Sequence, residues 1–216
     1  MAEKLDNRFK FEAAPVRMLY GTVITPKVSD YGGGRKSDPH FEVQAGIPLD
    51  HPELKALKAK IAAIAKAEFG TTEGVATPLK DGTKMADKAK ARGKNRERCR
   101  DFVILKASSS AEYPPSLAYV ANGAGVDVED GMRSQVAGKF YQGVNIGMEV
   151  TLKAYKGNDE NIPNSVVAYL SNVVSLGFGE KLGGGASSRH AGLIKNVGTV
   201  SEDDPTEEDI DADIEL

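Results

Sequence analysis

The side chains best suited to chemistry in this chain are seven tyrosines and a wide scatter of lysines and arginines, with no tryptophan. A phenol ring stacks on a nucleobase and a cationic side chain meets a phosphate. Together on an exposed strand face, these two types suit a single strand of nucleic acid. The candidate stacking residues are Tyr31, Tyr113, Tyr119, Tyr141, Tyr155 and Tyr169, and the candidate phosphate partners are Arg17, Lys27, Arg35, Lys36, Lys139 and Lys153. The seventh tyrosine, Tyr20, alternates with Val16, Met18, Thr22 and Ile24 and is expected in the core. Taken singly, each of these residues also reads as ordinary strand-surface decoration. Between Lys80 and Arg100, nine bases stand against Asp81, Asp87 and Glu97. That run forms an outer positive field for phosphates but has no aromatic ring for stacking.

The residues needed for other chemistry do not assemble. Gly32-Gly33-Gly34-Arg35-Lys36-Ser37 lacks the spacing of a phosphate-cradling loop, and Pro39 stands where a helix should begin. Ser187-Ser188-Arg189-His190 has neither an oxyanion hole nor an orienting acid around it. His40, His51 and His190 are scattered, and with a single cysteine, Cys99, they give no metal-ligand spacing and no disulfide. No pair of acids sits in an apolar setting that would raise one pKa for acid–base work. The expectation is a binding protein rather than an enzyme, with no cofactor and no metal.

Charge is distributed unevenly. The last fifteen residues hold nine acids and no base, which leaves 22 acids against 28 bases in the remainder. A basic body that attracts polyanions therefore carries a tail that is itself a polyanion. Asp209, Ile210, Asp211, Asp213, Ile214, Glu215 and Leu216 are the candidate residues for docking a protein partner. The opening residues have no apolar stretch of a secretory signal, and no apolar run nears the ~20 residues that cross a bilayer. A cytoplasmic protein without membrane association is expected.

The elements that must position these groups are mostly strands. Val16–Thr25 and Phe41–Ile47 alternate apolar and polar, and Phe102–Ala107 is a buried strand. A long hairpin follows. Val144, Ile146, Met148, Val150, Leu152 and Ala154 share one face of its first arm, and the polar turn Lys156–Asn161 leads to a return arm, Ser165–Leu176, that is apolar on both faces. That arm is expected deeper in the sheet. Ser108–Tyr113 reads as a turn, Leu117–Val120 as a short strand and Asn122–Gly131 as a Gly/Asp loop. One capping helix is expected after Asp50, with Asp50 and Glu53 as a capping box, Pro52 in the first turn, a stripe of Leu54, Leu57, Ile61, Ile64 and Ala65, and a stop at Gly70. Residues 71–100 form a polar, partly mobile insertion, weakly helical over Met85–Ala91.

The order of these pieces resembles a family. Phe140-Tyr141-Gln142-Gly143-Val144, then Val150–Tyr155, Val166–Val174, the exit Gly179-Glu180-Lys181-Leu182-Gly183-Gly184 and an acidic tail are similar to the bacteriophage single-stranded DNA-binding proteins with an OB-fold core. The resemblance is best over 100–185 and in the tail. It implies a mainly β chain: an OB-fold-like antiparallel barrel with one capping helix and long loops. The layout is then an N-terminal segment 1–13, a DNA-binding domain 14–182 containing the insertion 71–100, and a linker and tail 183–216. It further implies sequence-independent binding of single-stranded DNA in phage replication or recombination. The tail would compete with DNA and dock replication proteins such as a polymerase or helicase–primase, and a homodimer is compatible with it. Two departures stand out. The tail ends in Leu216 rather than an aromatic residue. An ordinary OB barrel also has its helix after the third strand, whereas two clear strands precede Asp50. The alternatives are a strand-annealing mediator of recombination and, in a different class, a virion or scaffold protein with an acidic docking tail.

Overall fold

The alternation that marks Val16–Thr25 as a strand changes phase part-way along, and that change shapes the sheet. The computed structural model describes residues 6–30, 36–157 and 162–182. Its strands are β1 (Arg8–Lys10), β2 (Val16–Lys27), β3 (His40–Pro48), β4 (Leu79–Asp81), β5 (Phe102–Ser110), β6 (Ser116–Ala121), β7 (Ala124–Val128), β8 (Asn145–Tyr155) and β9 (Ser165–Ser175). The helices are α1 (Leu54–Phe69) and α2 (Gly82–Ala91), with 3-10 turns at Glu97–Cys99 and Asp130–Lys139. Five strands close a ring. β2 pairs with β3, β3 with β5, β9 with β8, and β8 back to β2 through Val16–Ile146 and Arg17–Asn145, all antiparallel. The fifth pairing, β5 with β9, is parallel. This is the strand order of an OB-fold. β1 extends β8, β4 pairs with β5, and the β6–β7 hairpin adds to β9.

The helix question raised by the sequence resolves as a modified topology. Within the ring, α1 lies between the second strand, β3, and the third, β5. Its stripe is the expected one: Leu54, Leu57, Ile61, Ile64 and Ala65 are buried, and Gly70 ends it in the left-handed conformation. The expected capping box does not form. The helix begins at Leu54, and the Glu53 carboxylate instead accepts the backbone N–H groups of Glu12 and Ala13 at 3.1–3.2 Å. That contact ties down the N-terminal segment, whose Phe11 is buried in the core.

Of the three register shifts in the ring, two rephase faces that matter here. Between Met18 and Tyr20 the register of β2 on β3 shifts. Val16, Met18 and Val23 face the main core, while Leu19 and Tyr20 join a second cluster with Met85, Cys99 and Ile104 on the outer side of the sheet. Tyr20 is buried as expected, but not on the face it was expected to share with Val16 and Met18. In β9 the extra residue is Ser171, between partners Leu170 and Asn172. Val166, Ala168 and Leu170 point inward before it and Val173 and Ser175 after it, which is why the strand looks apolar on both faces in sequence. β9 is nonetheless deep in the sheet, with β8 along one edge and β5 and β6 along the other.

Two stretches are more ordered than their composition suggests. Asn122-Gly123, both at positive φ, form the tight turn of the β6–β7 hairpin where a loop was expected. The insertion 71–100 folds onto the outer face. α2 is capped by Asp81, whose side chain accepts from the Lys84 amide at 3.0 Å, and it buries Met85, Ala86 and Ala89. Lys80 and Arg96, read as part of a solvated field, are buried. Gly82 makes the join possible, because a Cβ there would lie 2.0 Å from the Cys99 carbonyl oxygen. We expect Gly82→Ala to destabilise the protein by about 1–3 kcal/mol and Gly125→Ala, in open space on β7, to leave stability unchanged. Urea unfolding of both checks this, and equal midpoints would refute the close packing of the insertion.

Candidate nucleic-acid interface

Cross-strand partners point to the same side of a sheet, so the register itself assembles the outer face. Lys153 lies opposite Val167 and Thr151 opposite Tyr169. Tyr169 is opposite Ser108, Ser108 opposite Glu42, and Glu42 opposite Thr22. One step along, Lys106 faces Gln44 and Gln44 faces Tyr20. The result is one continuous surface that runs from β8 across β9, β5 and β3 to β2.

At its β8–β9 end this surface is open and aromatic. Tyr155 is 48% exposed and Tyr169 44%, and the Lys153 ammonium lies 4.9 Å from the Tyr169 ring centroid. Thr151 and Ser171 share a hydrogen bond of 3.1 Å beside them. At the β3 end it is ionic. The Glu42 carboxylate, 3% exposed, stands 3.5 Å from Lys27, 3.6 Å from Lys106 and 3.7 Å from His40, and accepts a 2.9 Å hydrogen bond from the Gln44 amide. Burial by itself would raise the Glu42 carboxyl. Its pairing with His40, the Lys106 and Lys27 ammoniums and the Gln44 amide outweigh burial and hold it down at about 2. The same pairing raises His40 above its ordinary value against desolvation. His40 also anchors the start of β3, because its Nδ1 meets the Asp38 carbonyl at 2.8 Å and the Ser37 hydroxyl at 3.2 Å.

The insertion overhangs the β2 end of this face. Arg96 and Arg98 place their guanidinium carbons 4.8 and 4.5 Å from the Tyr20 ring centroid. Desolvation, as the largest influence, pushes the Tyr20 phenol up to about 12, and burial likewise raises the Cys99 thiol. Cys99 is therefore no activated nucleophile. Among the described residues no group of three or more His, Cys, Asp or Glu side chains could hold a metal ion, and no helix is long and apolar enough to cross a membrane.

Of the residues singled out from sequence, Lys27, Lys153, Tyr155 and Tyr169 come together on this face. Lys36 is exposed beside it, bridged to Asp30 across the β2–β3 connection. Others do not join it. Arg17 is tied to the exit segment through the Gly143 and Glu180 carbonyls at 3.3 and 3.0 Å. Tyr141 packs on the core and donates to the Gly179 carbonyl. Tyr119 follows buried Leu117 on the inward side of β6, with Lys139 5.6 Å from its ring. Tyr113 is 72% exposed and lines a pocket with four acids, Glu112, Asp127, Glu129 and Asp130, and one base, Arg133, away from this face. Tyr31, Arg35 and the tail residues Asp209–Leu216 lie outside the described residues. The sequence reading missed His40, Glu42, Gln44 and Lys106. The only sequence signal was a polar residue at alternate positions of two otherwise apolar strands.

Residues 10–203 match the family described as Enterobacter phage Enc34, ssDNA-binding protein. Among solved structures, the chain is similar to the single-stranded DNA-binding protein from bacteriophage Enc34, with 16% identity and a TM-score of 0.60 over 89% of this chain and 97% of that one. It is similar to the same phage protein in complex with ssDNA, with 18% identity and a TM-score of 0.60 over 84% and 97% of the two chains. A search of curated proteins found no match.

Glu42 gives the site a pH signature. The unfolded chain protonates this carboxyl near 4.5 and the folded protein near 2. Its contribution to stability is therefore complete above pH 4.5 and lost as pH falls from there towards 2. His40 acts oppositely: its contribution is complete below 6.5 and is lost as pH rises through its elevated folded value. Glu42→Gln, which strands the surrounding cations, is expected to cost ~3 kcal/mol or more at pH 7 and to flatten the acid limb. Urea midpoints across pH check both, and parallel curves for wild type and variant would show that another group controls the limb. The match spanning residues 10–203, together with the OB-ordered ring, places the chain in the Enc34 phage ssDNA-binding protein family.

Proposed function

We propose that the chain binds single-stranded DNA without sequence preference across the outer face of its strand ring. Bases stack on Tyr169 and Tyr155, and phosphates meet Lys153, Lys106 and Lys27. The observation that carries this reading is Tyr169, an exposed ring backed by the Lys153 ammonium at 4.9 Å, on the face lying between the β2–β3 and β8–β9 connections. OB-folds bind oligonucleotides on this surface, flanked by these two loops. Membership of the family, and the solved phage protein in complex with ssDNA, support it. Tyr31, Arg35 and Lys36 belong to the β2–β3 connection and are proposed to close over the strand.

The acidic tail, residues 200–216, is proposed to compete with DNA for the same cations and to recruit a replication protein such as a polymerase or helicase–primase. Its nine acids and absent bases support that role, since a polyanionic segment on the same chain is present at high effective concentration.

Titration of fluorescent oligo-dT should show affinity falling steeply with salt as counterions are released. Tyr169→Ala should lose ~1–3 kcal/mol of binding, the worth of one stacked base, and Tyr113→Ala should lose none. Equal losses at the two positions would move the interface elsewhere. Deleting residues 200–216 should tighten binding at low salt, with the gain vanishing at high salt. An unchanged low-salt affinity would remove the tail from the binding equilibrium.

A further inference from the structure

Among the described residues, one buried charge on this face has no counter-ion. Arg96 is 3% exposed. Its Nη1 donates to the Gln44 side-chain oxygen at 3.4 Å, and its Nη2, also buried, meets no acceptor. Among the described residues Arg96 forms no ion pair. The amide it contacts is neutral, and the Glu42 carboxylate behind that amide is already engaged by Lys27, Lys106 and His40. The Tyr20 hydroxyl, on the ring beneath, is buried beside the Cys99 thiol. Arg98 lies over the same ring. Buried guanidinium groups are ordinarily paired with an anion, because an unsatisfied donor loses its hydration with nothing in exchange.

The fold accounts for the position. The insertion carries Arg96 onto Gln44, and the register continues from Gln44 to Lys106 on β5, one residue pair from Ser108 and Tyr169. With strands ~4.8 Å apart, the arginines and the Tyr169 platform stand within a few nucleotides of each other. Tyr20 holds both guanidinium groups against its ring, and a guanidinium fork matches a phosphate bidentately.

We propose that Arg96, held on Tyr20, forms an anion site that a backbone phosphate of single-stranded DNA completes. The assignment rests on the outer-face reading above and adds to it a fixed phosphate position supplied by the insertion, distinct from the diffuse field expected of its lysines.

The test uses the full chain and oligo-dT at several salt concentrations. Arg96→Gln should weaken binding about tenfold, the loss of one charge-assisted contact, and reduce the log–log salt slope by about 0.7, the value for one single-strand phosphate. Arg96→Lys should recover the slope but not the whole affinity. A variant with unchanged affinity and slope, whatever its stability, would make Arg96 a packing element on Tyr20 and overturn the assignment. Should Arg96→Gln not fold, the wild type still decides. Cys99 is the only cysteine and is buried in the Tyr20 cluster, so oligo-dT is expected to slow its thiol labelling several-fold. No change in that rate would overturn the site. Protection by inorganic phosphate but not by oligo-dT would overturn the DNA assignment in favour of a free anion. If wild type binds oligo-dT and Tyr169→Ala weakens it while Arg96→Gln does not, this inference alone fails. Absence of wild-type binding removes the functional reading itself.

Discussion

The structure depends on the closure of a strand ring through two residue pairs, Val16–Ile146 and Arg17–Asn145. Closure divides every strand into an inward and an outward face and removes the edges that an open sheet leaves unpaired. The inward face takes the aliphatic residues of β3, β5, β8 and β9, and α1 covers them with its stripe. Everything interesting is then forced outward, where polar side chains must find partners or meet solvent. Arg17, a candidate phosphate partner in the sequence, stands at the seam, where its guanidinium donates to the Gly143 and Glu180 carbonyls beside the closing pairs.

The outer face is electrostatically graded. Near β3 a single buried carboxylate is shared by two ammonium groups and the His40 imidazole, and near β8 and β9 a lysine lies on an exposed ring. Glu42 stabilises the cations at short range and so fixes where they stand, but it also cancels part of their field. A groove built this way gives preorganised donors without an excessive positive potential. The Arg96 pair is at the opposite extreme, since its cation is fixed by an aromatic ring and a neutral amide.

Bulges are what let one chain serve both faces. At Met18–Tyr20 the phase change sends Leu19 and Tyr20 outward to make a second, smaller core under the insertion. At Ser171 it keeps both halves of β9 pointing their apolar side chains inward although the sequence alternation has slipped by one. A bulge costs local pairing, and here each one sits where a strand must satisfy two neighbours with different registers.

Much of the local structure was legible in the sequence. The α1 stripe, the Gly70 stop and the β8–β9 hairpin follow from periodicity and turn chemistry alone, because such patterns depend on neighbours along the chain. Asn122-Gly123 is equally a hairpin-turn signal, masked in the sequence by the glycines around it. The exposed tyrosines and the charge asymmetry also come straight from residue types. What only tertiary structure decided is which of those residues meet. Tyr155 and Tyr169 share a face with Lys106, Glu42 and Gln44 because distant strands pair in one register. Tyr113, Tyr119 and Tyr141, indistinguishable from them in sequence, are placed elsewhere. Arg96 likewise looks like one more base in a charged run until the insertion folds back and buries it on Tyr20. Partnership across a closed sheet is a long-range property, and no spacing along the chain encodes it.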